Sequence, residues 1–229
     1  MMSRKSLLHR ALIAFGIVLV AASSSRAATM ADLLSGGSIT CGDKTFLNFR
    51  TFVSNAAGGA DAPTSAQIFV TPDTANCGTF NPGPGLVFQS ANWNVNAGGT
   101  MDTAFTYDVI APGLLMHDAL LSFLSYDAQN GGEIHITESL IDSLNTSVQN
   151  LSVDSLTGPT ADSHIFSGLY SFLTVNMDVS LEGHANGNAS LSTFTVNISE
   201  IPEPTSVVMV GLGLAGVIVG ARRRRSRPS

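Results

Sequence analysis

Nine residues constrain this chain more than any others. Leu173, Val175, Met177, Val179 and Leu181 alternate without a break with Thr174, Asn176, Asp178 and Ser180. A period of two places all five apolar side chains on one face of an extended segment, and a helix would scatter them around its axis. The segment is therefore read as a strand with one buried face. Phe194, Val196 and Ile198 repeat the pattern after Gly183–Gly187. A five-residue loop between two such runs predicts a hairpin.

The same reading extends backwards. Asp43–Ser54 alternates through Phe46, Asn48, Arg50 and Phe52, and Ala66–Thr71 is a short run stopped by Pro72. Asn81-Pro82-Gly83-Pro84-Gly85 is a turn cluster, after which Leu86–Asn96 reads as a strand carrying Trp93. Thr103, Phe105, Tyr107 and Val109 alternate, and Glu133–Ser139 sets Ile134 and Ile136 on one face. Ala119–Tyr126 fits helix or strand, and its periodicity does not decide between them. Many short strands at turn-rich spacing predict an all-β domain, an antiparallel β-sandwich with the jelly roll among its topologies.

The two ends of the chain differ from this body. Arg4, Lys5 and Arg10 precede an apolar core at Ala11–Ala22, and Ser25-Arg26-Ala27 offers small residues at a cleavage site. This is read as a signal peptide over residues 1–27, cleaved after Ala27 or, second, after Ala28. The alternative is an uncleaved anchor, for which the apolar core is short. At the other end Thr205–Ala221 is an uncharged run followed by Arg222, Arg223, Arg224 and Arg225. About 17 apolar residues are the practical minimum for a transmembrane helix, and a following arginine cluster is a cytoplasmic stop signal. Three segments result: signal peptide 1–27, ectodomain 28–199, and anchor segment 200–229.

Pro202-Glu203-Pro204, the apolar helix and the terminal arginines, in that order, resemble the PEP-CTERM sorting domain of Gram-negative bacteria. The resemblance implies recognition by exosortase, a membrane protease-transpeptidase, at a motif made of Pro202, Glu203 and Pro204. It further implies removal of the tail and delivery to the cell surface or an exopolysaccharide matrix, from an inner-membrane precursor whose ectodomain lies in the periplasm. A plain single-pass anchor is the alternative. The stretch Gly42-Asp43-Lys44-Thr45-Phe46-Leu47-Asn48-Phe49, with the terminal hairpin, looks like a recurrent β-rich ectodomain of PEP-CTERM proteins, a group without an assigned activity. Locally, Asp43-Lys44 reads as a turn plus an ion pair, worth about 0–1 kcal/mol if exposed.

Charge separates the ectodomain from its signals. Residues 28–204 hold all 17 acids of the chain and only Lys44 and Arg50 as bases, a formal net of −15. Such a domain does not bind nucleic acid through its backbone charge. It gains from high ionic strength or divalent cations, so calcium is compatible with it, although no ligands are assignable. Cys41 and Cys77 are the two cysteines. In an exported domain they predict one disulfide, with two buried thiols as the alternative.

Catalytic constellations do not emerge. His135 and Glu138, three apart on a strand, face opposite sides. His117 with Asp118 and His184 near Glu182 read as solvated surface pairs. No His-Glu-x-x-His, Gly-x-Ser-x-Gly or phosphate loop occurs. Asp61 and Asp73 lie in loops without an EF-hand ligand series. Expected catalytic residues and cofactors are none. The expectation is a non-enzymatic surface or matrix protein with a structural or interaction role, with exosortase, the membrane and exopolysaccharide as partners. The alternatives are a calcium- or carbohydrate-binding module and a secreted hydrolase.

Overall fold

The computed structural model describes residues 27–113 and 115–201. The signal peptide, Pro202–Pro204, the 205–221 run and Arg222–Arg225 lie outside the described residues. Among the described residues, no helix is long and apolar enough to cross a membrane.

Two antiparallel sheets face each other, as the alternating runs predict. Sheet A contains β1 (Ala28–Thr29), β4 (Phe69–Pro72), β5 (Gly85–Gln89), β13 (Asn188–Ile201), β8 (Leu115–Gln129) and β11 (Ala161–Tyr170), in that spatial order. The short β6 (Asn94–Val95) also pairs with β13. Sheet B runs β10 (Ser147–Asp154), β9 (Glu133–Ile141), β12 (Phe172–Glu182), β7 (Thr100–Ile110), β3 (Lys44–Ala57), β2 (Ile39–Cys41). A five-residue helix, α1 (Met30–Leu34), is capped by reciprocal bonds between Thr29 and Asp32 and buries Met30 and Leu33. The ambiguous Ala119–Tyr126 run is part of β8.

A cluster of aromatic rings lies within the largely aliphatic interior. Phe88 stacks on Phe194 with ring centroids 4.9 Å apart, and Phe49 stacks on Tyr107 at 5.1 Å. Trp93 is wholly buried and donates its indole N–H to Thr103 Oγ1 at 3.3 Å. Leu173, Val175, Met177, Val179 and Leu181 are all buried, as their period requires.

Four sequence readings are corrected. The first concerns the terminal hairpin: β12 and β13 belong to different sheets. β12 pairs with β7 and β9, and β13 with β5, β6 and β8. Each is central in its sheet, both edges already occupied, so Gly183–Gly187 arches from one sheet to the other. Period two identifies a buried face and leaves the hydrogen-bonding partner open.

Second, the alternation expected over Asp43–Ser54 is broken twice. Asn48 and Thr51 take left-handed backbone angles, φ 54° and 56°, where the pairing with β7 slips. Each bulge moves the inward phase by one residue, so Phe49 is buried where Phe46, Asn48, Arg50 and Phe52 were expected to share a face.

Third, Leu86–Asn96 is two strands. The chain leaves β13 at Ser90 and rejoins it at Asn94, beside a register shift between Leu191 and Thr193.

Fourth, the boundary drawn at Ser199 falls inside β13, which pairs with β8 through Ile201↔Leu115. Both faces of this last strand are covered. Ile198 faces the core, while Asn197 and Ser199 are buried beneath the segment between β4 and β5. Gly83, at φ +82°, lets that segment lie on β13. A Cβ there would come within 2.5 Å of Ser199 Cα.

Candidate functional site

The junction where β13 ends is built from three chain segments, residues 41–44, 73–77 and 197–200, at one end of the sandwich. Cys41, closing β2, is bonded to Cys77 with a Cα–Cα distance of 4.8 Å. Gly42 follows at φ +62°, packed so tightly that a side chain would strike the Cys77 carbonyl oxygen. Lys44 then turns inward, in phase with Phe46, and is wholly buried. Its ammonium donates to Glu200 Oε2 on β13 and lies 3.3 Å from Asp43 Oδ1.

The expected Asp43-Lys44 ion pair is present with Lys44 buried rather than exposed, and Lys44 also pairs with Glu200 across the two sheets. Burial pushes the Glu200 carboxyl up, Lys44 opposes this, and Asp43 adds to it, leaving Glu200 above its ordinary range. Asp43 Oδ2 is buried without a partner. Asp73, considered as a loop ligand, is structural as well. Its Oδ2 accepts from Asn76 Nδ2 at 2.6 Å and from Asn197 Nδ2 at 2.9 Å.

The outward face of sheet B carries many polar side chains. Near the junction, Arg50 donates to Asp108 at 2.9 Å, and Asn48 and Thr174 donate to the same carboxylate. Burial raises the Asp108 carboxyl, but these donors outweigh it and hold the group below its ordinary range. Further along, a groove of about 420 Å³ is lined by Asn55, Asp102, Asp178, Ser180 and Glu182, among others. Burial, the hydrogen bond that a protonated Asp178 donates to Asp102, and the Asp102 charge push the Asp178 carboxyl up to about 6. A proton on Asp178 is thus favoured by the carboxylate beside it.

Two histidines, His135 and His184, lie on this face or at its end. His135 Nε2 bonds Ser152 Oγ at 2.8 Å. His184 sits 3.3 Å from Glu133 and 3.7 Å from Glu182. His117 Nδ1 lies 3.9 Å from Asp118 on sheet A. As its spacing from His135 implies, Glu138 faces the other way. Both its oxygens are buried and unbonded, and burial, followed by the Asp162 charge, raises its carboxyl to about 8. Among the described residues, no group of three His, Cys, Asp or Glu is arranged to hold a metal ion.

Several functional candidates escaped sequence reasoning. Asp102 and Asp178 meet only because β7 and β12 are neighbours, which no local pattern announces. Lys44 and Glu138 were more accessible. Each keeps the inward phase of its strand, with Phe46 and with Ile134–Ile136 respectively.

Solved structures of low similarity span much of the chain. The enzymatically active domain of bacteriophage CBA120 tailspike protein 4 is 16% identical with a TM-score of 0.28, covering 66% of this chain and 19% of that one. TmCBM61 in complex with β-1,4-galactotriose is 12% identical with a TM-score of 0.29, covering 65% and 88%. The family 11 carbohydrate-binding module of a Clostridium thermocellum cellulosomal cellulase is 11% identical with a TM-score of 0.28, covering 73% and 95%. None of the curated proteins matches the chain. The PEP-CTERM protein-sorting motif matches residues 200–225, beginning on the Glu200 that Lys44 holds, so this chain is a PEP-CTERM sorting-motif protein.

Proposed function

We propose that this is an exported cell-surface or exopolysaccharide-matrix protein. Exosortase sorts it at Pro202–Pro204 from a precursor held in the inner membrane by residues 205–221, with the ectodomain in the periplasm. The sandwich serves a structural or interaction role and no catalytic one. One observation carries this reading. The matched motif starts at Glu200, where the last strand of the fold ends at Ile201. Removing the chain beyond Pro204 leaves every described strand in place, so the released product is a complete folded domain. Its negative charge suits a hydrated polyanionic matrix in which divalent cations bridge surfaces.

A carbohydrate-binding role is the second reading. The groove between Asn55 and Glu182 supports it, because carboxylates, amides and hydroxyls in a row are acceptors and donors for sugar hydroxyls. The released protein should be assayed against its producer's exopolysaccharide and a glycan panel, with and without calcium. Weak retention in the matrix that falls as salt rises supports the structural reading. Tight 1:1 binding of one glycan, abolished by Asp102→Ala, replaces it with the binding-module reading. Turnover of any polysaccharide overturns both.

A further inference from the structure

Strand register fixes which end of the sandwich the sorting segment leaves. Ile201 pairs with Leu115 at the start of β8, Tyr170 with Met116, and Phe172 with Ile110. The β9–β10 turn, Asp142–Thr146, lies at this same end, since Ile141 pairs with Thr174 two residues into β12. The β10–β11 turn lies at the opposite end, where Ser155 donates to Ile134 at the start of β9.

Chain length then limits where this end sits. The last paired residue is Ile201, and Glu200 before it is tied to the buried Lys44. Only residues 202–204 separate Ile201 from the apolar run at Thr205. Four residue steps reach at most about 14 Å. A headgroup layer takes about 5–7 Å of that on one side of a bilayer. The domain is about 40 Å long along β13, so it stands well clear of lipid at one end alone.

The end so confined carries exposed apolar side chains. Leu144 is 82% exposed, at the tip of a turn whose Leu144 and Thr146 N–H groups both donate to Asp142 Oδ1. Leu169 is 49% exposed one residue before Tyr170, and Phe80 is 56% exposed in the segment that Cys77 anchors. At the far end the Glu133, Glu182 and His184 cluster presents charge to water.

We propose that this end is a lipid-contacting surface of the membrane-held precursor, with Leu144, Leu169 and Phe80 resting on the headgroup layer until the tail is cut. The inference rests on the reading of residues 205–221 as a membrane anchor. It adds the orientation of the domain, and with it the approach left to the processing enzyme, along the bilayer surface.

The test uses the full-length chain in phosphatidylcholine vesicles containing a nitroxide-labelled lipid. Both native cysteines are in the disulfide, so an introduced cysteine is the one thiol available for a fluorescent label. Leu144→Cys and Leu169→Cys report on the near end, and Leu156→Cys, 54% exposed in the β10–β11 turn, on the far end. Flotation with the vesicles establishes anchoring first. The expected result is at least threefold stronger lipid quenching at 144 and 169 than at 156, lost when protease releases the domain. Equal quenching at the three positions in floated protein overturns the orientation and leaves the anchor reading intact. A chain that does not float overturns the anchor reading, and this inference falls with it.

Discussion

Lys44 and Glu200 lie 156 positions apart and form an ion pair inside the sandwich, joining the first long strand of one sheet to the end of the last strand of the other. Lys44 has no exposed surface, and the Glu200 side chain is 5% exposed. A buried pair of this kind is sensitive to loss of one partner, because the other is left charged in a dry site. Glu200→Gln should cost about 3–5 kcal/mol in urea unfolding. Replacing both by Met and Leu should recover most of that loss. Additive losses in the double variant would show that the two groups do not act as a pair.

The disulfide constrains the same end. Cys41 and Cys77 are separated by 36 positions. Opening a loop of that size with Cys41→Ser and Cys77→Ser should lower stability by about 3–4 kcal/mol through the unfolded chain's regained entropy. The check is the urea midpoint of the double variant beside that of the reduced native protein, and the two should agree.

Much of this architecture was readable from the sequence, for definite reasons. Period two at Leu173–Leu181 and at Thr103–Val109 reports burial of one face, and burial is a local property of a strand. Pairing depends on the rest of the molecule, so the partners of β12 and β13 were out of reach. The bulges at Asn48 and Thr51 erased the pattern in β3 because each shifts the phase by one residue. Lys44 looked exposed because lysines usually are, although its phase matched Phe46. Of the junction, the cysteine pair and the Pro202–Pro204 motif are legible, whereas Glu200 falls in the 200–229 anchor segment with no local sign of its burial.

Glu138 gives the fold an alkaline weakness. Its carboxyl is raised from an unfolded value of 4.5 to about 8. The folded state therefore holds a proton that the unfolded chain releases. The associated stability is full below about pH 4.5 and declines as pH rises, until it is lost above about pH 8. A shift of this size corresponds to as much as about 5 kcal/mol between the two limits. Urea unfolding at pH 6 and pH 9 should show the native protein losing stability and Glu138→Gln losing far less. Parallel profiles would mean that Glu138 is bonded or hydrated in the folded state.

Asp178 titrates on the outward face. Its carboxyl, raised to about 6 by burial and Asp102, should appear in carboxyl-resolved NMR as a group titrating well above the ordinary aspartate range. Asp102→Asn removes the neighbouring charge and should bring the Asp178 midpoint down. An unchanged midpoint would assign the shift to burial alone.

On the proposed function, the chain is cut beside the fold it anchors. Mass spectrometry of the protein released at the producer's surface reads this directly. The predicted result is a C-terminus within Pro202–Pro204 on an otherwise intact domain that retains Glu200 and its partner Lys44. A mature protein extending to Ser229 would contradict the account and leave a simple membrane anchor.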